Sequence, residues 1–141
     1  MKILIINGPN MQLLGKREPE IYGNSTLAEL ETELKFYASK IKVDLVFFQS
    51  NHEGDIVDKI GACNDTYTGI VINPAAYTHT SLAIHDAIKG CGVKTIEVHL
   101  SNIHSRESIR HTSLTAPACI GQITGFGINS YKLAIDALTR I

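Results

Sequence analysis

The sequence has almost no net charge, few cysteines and no long hydrophobic run, and each shortage excludes a class of protein. Thirteen Lys and Arg against fourteen Asp and Glu leave a formal net charge of -1, so the chain lacks the broad basic surface that binds nucleic acid or anionic lipid. The N-terminal apolar run is too short for a signal peptide, and no stretch approaches the ~20 apolar residues of a membrane helix. We therefore expect a cytoplasmic, soluble protein whose partner is a small molecule, not nucleic acid or a membrane.

The three cysteines, Cys63, Cys91 and Cys119, are an odd number and form no C-x-x-C pair. This argues against both a disulfide framework and a zinc knuckle. We expect all three thiols to be reduced and buried. Their regular spacing does not indicate a repeat, because Cys63 falls late in a predicted helix, Cys91 after a helix and Cys119 in a predicted strand.

Short apolar runs alternate with amphipathic stretches along the whole chain. The predicted strands cover residues 2–6, 43–48, 69–72, 95–100 and 118–124. The predicted helices cover residues 26–40, 55–64, 79–89 and 128–139. Thr26 and Glu29 have the spacing of a capping box at the start of the first helix, and Gly90 is expected to end the third.

Five strands that alternate with helices predict a parallel sheet covered by helices on both faces. The chain is long enough to bury a core of its own. We expect the flavodoxin-like strand order, 2-1-3-4-5, in one α/β domain that spans residues 1–141.

Polar residues follow four of the five predicted strands. Asn7 and Asn10 follow the first strand, residues 49–53 the second, residues 73–79 the third and residues 99–110 the fourth. In a sheet of this kind, ligands bind outside the carboxyl ends of the strands. The sequence therefore predicts a functional site at that edge of the sheet.

The segment between the first strand and the first helix is about eighteen residues long and has neither a strand nor a helix pattern. Loops of this length in a compact domain are often functional. This loop carries Arg17 and Tyr22 between two glycines, as a lid would. A phenol is almost fully protonated at neutral pH, but a guanidinium beside it would favour the phenolate, which can act as a general base. The alternative is a solvated loop in which Arg17 pairs with Glu18 or Glu20.

Glu97 and His99 are predicted to point to the same face of the fourth strand, because side chains alternate along a strand. Charged side chains within an apolar strand are tolerated only when each of them has a partner. The two side chains either satisfy each other at the rim of the sheet, or the carboxylate orients a histidine that transfers protons. We expect no metal, because the six histidines form no H-E-x-x-H pattern or equivalent pair.

The segment of residues 73–81 lies between the third strand and the third helix. Thr80 or Ser81 could cap this helix, and an anion or hydroxyl could meet free N–H groups there. Turn formation alone could also explain Asn73. Asp86 falls within the helix and is expected to be a surface or interface residue.

Five segments carry a more specific pattern when they are taken together. They are residues 7–10, 17–23, 49–54, 73–81 and 97–107. In this order and at this spacing they resemble the type II 3-dehydroquinate dehydratases over nearly the whole chain. The sequence departs from the usual pattern of that family at Met11-Gln12 and at Ser108-Ile109, where the family has no catalytic residue.

The resemblance implies a flavodoxin-like subunit that converts 3-dehydroquinate to 3-dehydroshikimate and water, without a metal, cofactor or Schiff base. This lyase reaction, in the shikimate pathway or in quinate breakdown, is an anti elimination through an enolate. Tyr22 would remove the C2 proton, and Arg17 would hold it as phenolate and close the lid. Asn10 would stabilise the enolate through a bound water. His99, oriented by Glu97, would protonate the departing C1 hydroxyl.

The resemblance also implies the substrate contacts and the assembly. The contacts would be the side chains of Asn73, His79 and Arg110, the backbone of Leu100 and Ser101, and Asp86 of a neighbouring subunit. The implied assembly is a dodecamer of four trimers.

The main alternative is a flavin- or phosphate-binding module of the same fold. Such a module needs a loop rich in Ser, Thr and Gly after the first strand. Pro9 removes one N–H there, and the residues that follow it are poor substitutes. A phospho-receiver domain would have an aspartate where Asn73 stands. We therefore favour the dehydratase.

Overall fold

The computed structural model describes residues 1–141, and its centre is one parallel sheet. The strands are β1 (Lys2–Asn7), β2 (Asp44–Gln49), β3 (Gly69–Asn73), β4 (Thr95–His99) and β5 (Gly121–Thr124). Their order is β2-β1-β3-β4-β5, and every neighbouring pair is parallel. This confirms the predicted flavodoxin-like order.

Five α-helices connect or flank the strands. They are α1 (Pro19–Tyr22), α2 (Leu27–Lys40), α3 (Glu53–Gly61), α4 (Leu82–Cys91) and α5 (Ile128–Thr139). Five short 3-10 helices lie in the connections, at Met11–Leu13, Ala75–His79, Ile103–Ser105, Ser108–His111 and Ala116–Ala118. None of the helices combines the length and the apolar character needed to cross a membrane.

The sheet separates two apolar layers because its side chains alternate between the faces. Ile3 and Ile5 of β1 pack with α2 and α5 on one face. Leu4 and Ile6 of the same strand pack with α3 and α4 on the other. All four side chains are fully buried, so β1 has the continuous apolar sequence typical of a strand covered on both sides.

The first predicted helix is confirmed together with its cap. The Thr26 hydroxyl accepts a hydrogen bond from the backbone N–H of Glu29 at 3.2 Å, which satisfies one of the free donors of the first turn. Leu30, Leu34 and Ala38 form the buried stripe of α2. Their spacing of four residues places them on one face of the helix.

Both predicted ends of the third helix, residues 79–89, are wrong. The helix begins later, at Leu82, because the Ser81 hydroxyl accepts a hydrogen bond from the N–H of Ile84 and so caps the helix. It then continues through Gly90 to Cys91 and is capped by Gly92, whose φ of 69° is left-handed. This glycine tolerates that conformation without a Cβ clash.

The fifth strand and the long loop also differ from the prediction. The strand begins at Gly121 instead of residue 118, because Pro117 lies in a 3-10 turn that uses the N–H groups of Ala118 and Cys119. The loop expected to lack helix contains the 3-10 helix Met11–Leu13 and the single turn α1.

All three cysteines are free, as predicted, but their positions differ from expectation. Cys63 is buried just beyond α3, and Cys91 is the buried last residue of α4. Cys119 precedes β5 and is only partly buried. The prediction that all three are buried is therefore wrong for this residue.

Candidate active site

A cleft opens at the carboxyl edge of the sheet, where the ends of β1, β3 and β4 meet the 3-10 segments and α1. It contains the predicted site residues of four separate segments. Nine of them line it: Asn10, Arg17, Tyr22, Asn73, His79, His99, Leu100, Ser101 and Arg110. Of the other two, Glu97 lies behind His99, and Asp86 is exposed on α4 and does not line the cleft.

Glu97 and His99 point to the same side of β4 and form a direct pair. His99 Nε2 lies 2.6 Å from Glu97 Oε1, and the glutamate is fully buried. With Nε2 occupied by the carboxylate, Nδ1 is the ring nitrogen left to act on a ligand. The pair fits the predicted role of a histidine whose orientation is fixed by a carboxylate.

The Glu97 carboxylate has several hydrogen-bond donors besides His99. Thr78 donates to Oε1 at 2.5 Å, Thr115 donates to Oε2 at 2.5 Å, and Gln122 Nε2 donates to Oε1 at 3.1 Å. These partners come from three different segments of the chain. Sequence reasoning missed all three, because no local pattern connects them with β4.

The pKa of the Glu97 carboxyl is lowered despite its burial. Burial alone would raise the pKa, but the hydrogen bond and the charge of His99 oppose it. The hydroxyls of Thr115 and Thr78 act in the same direction as His99. Together these partners outweigh burial, because each stabilises the ionised form. The carboxylate is therefore charged at neutral pH.

Tyr22 lies at the end of α1 and contacts a residue that the sequence analysis did not select. Arg106 Nη1 donates a hydrogen bond to the Tyr22 hydroxyl at 2.7 Å, and its guanidinium carbon lies 5.2 Å from the centre of the ring. The Arg106 side chain is only 10% exposed. Its position four residues before Arg110, in the polar segment after β4, was the available signal.

Arg17 also lies against Tyr22, but at the ring and not at the hydroxyl. Its guanidinium carbon is 5.3 Å from the ring centre, and its Nε is 3.7 Å from Glu18. Both sequence interpretations of Arg17 therefore describe part of its surroundings. Two guanidinium groups, those of Arg17 and Arg106, therefore flank the same phenol.

Asn10 has a left-handed backbone, with φ of 68°, and this turns the chain back toward the cleft. Its backbone N–H donates to Asn51 Oδ1 at 3.0 Å. Asn51 follows β2 within the predicted polar group of residues 49–53. An asparagine adopts this conformation more readily than most residues.

Asn73 both forms a turn and lines the cleft. Its Oδ1 accepts from the N–H of Ala75 at 3.1 Å, and its Nδ2 donates to the Tyr131 hydroxyl at 2.9 Å. Tyr131 is fully buried on α5 and donates to Asn7 Oδ1 at 2.6 Å. The amide of Asn73 is therefore fixed by its hydrogen bonds to Ala75 and to the buried Tyr131.

His79 and Arg110 are held by neighbouring residues at the rim. His79 Nδ1 lies 2.8 Å from the carbonyl oxygen of Thr112, to which a protonated Nδ1 donates, and Nε2 remains for the cleft. Arg110 Nε donates to Glu107 Oε2 at 2.9 Å. With the proton on Nδ1, Nε2 of a neutral His79 ring can accept a hydrogen bond from a ligand hydroxyl, and Arg110 can donate its remaining N–H groups to one.

Comparison with known proteins places these features in a family. A family profile described as "Dehydroquinase class II" matches residues 1–139. A "3-dehydroquinate dehydratase" of Bacillus mycoides (strain KBAB4) is 56% identical over 137 residues, which are 97% of this chain and 94% of the relative. The crystal structure of a type II dehydroquinase from Butyrivibrio crossotus DSM 2876 has a TM-score of 0.97 at 49% identity and covers 99% of this chain and 97% of that one. One from Propionibacterium acnes has a TM-score of 0.95 at 39% identity, with the same coverage.

The fold and the cleft together define an α/β enzyme with a buried histidine–carboxylate pair at the carboxyl ends of its strands. The matched residues span nearly the whole chain, and the identity to the Bacillus relative exceeds half. The chain belongs to the class II dehydroquinase family.

Proposed function

We propose that this chain is a hydro-lyase that converts 3-dehydroquinate to 3-dehydroshikimate and water in the shikimate pathway. The observation that carries the proposal is that Tyr22, flanked by two guanidinium groups, lines the same cleft as His99 with its buried carboxylate. A base and an acid on one cleft are what an elimination of water requires.

The base in this proposal is the phenolate of Tyr22. It takes the C2 proton of the substrate, and the electron pair of the broken C–H bond forms the enolate of the C3 ketone. In this scheme Arg106 donates a hydrogen bond to the Tyr22 oxygen, and Arg17 places a second guanidinium against the ring. Arg17, on the loop that leads to α1, also closes this segment over the substrate.

The acid is His99, acting through Nδ1. It gives a proton to the C1 hydroxyl as the C1–O bond breaks, and the enolate electrons form the C1=C2 double bond. Glu97 holds the ring in place and balances its positive charge. Asn10 stabilises the enolate oxygen through a bound water. Acid and base act on opposite faces of the ring, which corresponds to anti elimination.

The remaining residues of the cleft orient the substrate. Asn73, His79 and Arg110 contact its ring hydroxyls, and the backbone N–H groups of Leu100 and Ser101 bind its carboxylate. No cofactor is needed in this scheme, because the ketone already acidifies the C2 proton.

We further propose a cytoplasmic dodecamer of four trimers in which Asp86 of a neighbouring subunit reaches the substrate. Asp86 is exposed on α4 and lies outside the cleft of its own chain, which leaves it free for such a contact. Analytical ultracentrifugation tests the assembly. A fully active monomer would refute the proposed contact.

The test of the reaction is an assay with purified protein and 3-dehydroquinate. The product contains a conjugated enone, so its ultraviolet absorbance should rise with time. Tyr22→Phe is the matched control, because it removes only the reacting hydroxyl. Absence of turnover by the wild type would refute the proposal. The alternative, a flavin-binding module, predicts bound flavin and a coloured protein instead.

A further inference from the structure

The two oxygens of the buried Glu97 carboxylate have very different numbers of partners. Oε1 lies within hydrogen-bond distance of His99 Nε2, Thr78 and Gln122, with Ser113 further away at 3.3 Å. Oε2 has a single partner, the hydroxyl of Thr115 at 2.5 Å. Both oxygens of the carboxylate therefore accept hydrogen bonds, but Oε2 is held by Thr115 alone.

This asymmetry matters because a carboxylate can rotate about its Cγ–Cδ bond. Terminal torsions of this kind have broad energy wells, so the side chain alone does not fix the plane of the two oxygens. The bond from Thr115 to Oε2 fixes that plane. In the observed plane Oε1 lies 2.6 Å from the His99 ring, which is the contact that orients the imidazole.

Thr115 is well placed for this task because its own position is fixed. It is fully buried, and its hydroxyl lies 3.0 Å from that of Thr78. The carbonyl oxygen of Thr115 accepts from the N–H of Ala118 at 3.0 Å, and the N–H of the preceding Leu114 donates to the Thr78 carbonyl at 2.6 Å. The side chain of Thr115 does not line the cleft.

We propose that Thr115 is a positioning residue for His99, and that it acts by fixing the plane of the Glu97 carboxylate. It touches neither substrate nor the reacting atoms, so any effect on turnover must pass through Glu97. This inference rests on the acid role proposed for His99.

The surroundings of Glu97 contain few other groups that titrate. His99 on the same strand is one, and the thiol of Cys119 is the other. Burial, followed by the charge of Glu97, raises the pKa of Cys119 to about 12, so this thiol is neutral near pH 7. Thr78, Ser113, Thr115 and Gln122 also face the carboxylate but carry no charge. A change in the titration of Glu97 can therefore be assigned to a lost hydrogen bond.

The test compares Thr115→Val, which removes the hydroxyl at nearly constant volume, with Thr115→Ser, which retains it. Hydrogen bonds to charged groups contribute enough that kcat of Thr115→Val should fall about tenfold to a hundredfold. KM should change by less than about threefold, because Thr115 does not contact substrate. On the alkaline side of the pH profile, the kcat of Thr115→Val should decline at a lower pH than that of the wild type, because a poorly held Glu97 supports the protonated His99 less well. Thr115→Ser should recover most of kcat.

Thr95→Val is the matched control, on β4, the strand that also carries Glu97. Thr95 is also buried, but its hydroxyl donates to the Val93 carbonyl at 2.9 Å and not to Glu97. This variant should keep the kcat and pH profile of the wild type. Thr115→Cys provides a second variant at the site, in case the valine prevents folding. Its S–H is a weaker donor, and it should lose activity in the same direction.

A second measurement does not depend on activity. The Glu97 carboxyl carbon can be followed by NMR as the pH is changed. Loss of one donor destabilises the ionised form, so the titration midpoint of Glu97 should be higher in Thr115→Val than in the wild type and unchanged in Thr95→Val. An inactive wild type would refute the proposed dehydration, whereas this titration would still test the anchoring of Glu97.

Two results would overturn the inference. One is a Thr115→Val enzyme whose kcat lies within about twofold of the wild type with the same pH profile, since a lost bond to a charged group should cost more. The other is an unchanged Glu97 titration in a folded Thr115→Val or Thr115→Cys protein.

Discussion

The hydroxyl of Tyr22 and Nη1 of Arg106 lie 2.7 Å apart, although 84 residues separate them in the sequence. The arginine comes from the segment after β4 and the tyrosine from α1, so the contact joins the loop to the body of the domain. In the proposed mechanism this bond fixes the position of the base.

Tyr22→Phe should abolish turnover but leave substrate binding largely intact. Loss of a positioned base costs about 10²- to 10⁴-fold, and no other ionisable side chain of the loop can replace the phenolate. Arg17→Ala should also lower kcat, but it keeps the phenol, so its activity should partly recover as the pH rises. The measurements are kcat against pH for both variants and substrate binding by calorimetry. A Tyr22→Phe enzyme with near-native kcat would show that the base is another residue.

Arg106→Ala should lower kcat more than Arg17→Ala, because Arg106 bonds to the hydroxyl and Arg17 contacts only the ring. We expect a loss of about tenfold to a hundredfold, from the strength of a hydrogen bond to a charged group. Arg140→Ala is the control, since Arg140 is exposed near the C-terminus. Steady-state kinetics of the three variants test the expected order of the kcat losses. Equal losses for Arg106→Ala and Arg140→Ala would contradict it.

Glu97 should make the folded protein more stable at neutral pH than at low pH. Its pKa is lowered in the folded state, so its contribution is fully present above the unfolded pKa of about 4.3 and is lost as pH falls through the folded value. The unfolding free energy of the wild type relative to Glu97→Gln should therefore be constant from pH 7 to about 5 and should decline below about 4. Urea unfolding at several pH values measures this. A difference that grows as the pH falls would contradict the lowered pKa.

Tyr131→Phe should reduce stability and weaken substrate binding together. The change leaves Asn7 Oδ1 and Asn73 Nδ2 without their buried partner, at a cost of about 1–3 kcal/mol, and it loosens the amide of Asn73 at the cleft. Thermal unfolding and KM are the measurements. Tyr37→Phe is the control, because the hydroxyl of Tyr37 donates to Asp136 away from the cleft, and it should leave KM unchanged. An unaltered KM in Tyr131→Phe would argue against a substrate contact by Asn73.

Activity should survive EDTA, and it should also survive borohydride in the presence of substrate. The proposed elimination uses no metal and no imine, and no lysine lines the cleft to form an imine. A steady-state assay before and after each treatment is sufficient. Inactivation by EDTA that added zinc or magnesium reverses would refute the metal-free mechanism.

The sequence by itself determined the sheet and the fact that Glu97 and His99 point to the same face of it. Apolar β-branched runs fix which segments become buried strands, and right-handed crossovers leave few possible orders for five of them. The period of two along a strand places Glu97 and His99 on one side whatever the rest of the fold does. For the same reason, the polar residues after the strands could be predicted to meet at one edge.

Only the tertiary structure decided which residues complete the site. Connections have no periodicity, so their turns, such as α1 and the segment before β5, depend on local hydrogen bonds that the sequence pattern does not show. The contacts of Arg106 with Tyr22, of Tyr131 with Asn73 and of Thr115 with Glu97 each join residues at least 18 positions apart. Such contacts exist only once the helices have packed on the sheet, because packing sets the distance between segments that no local rule connects.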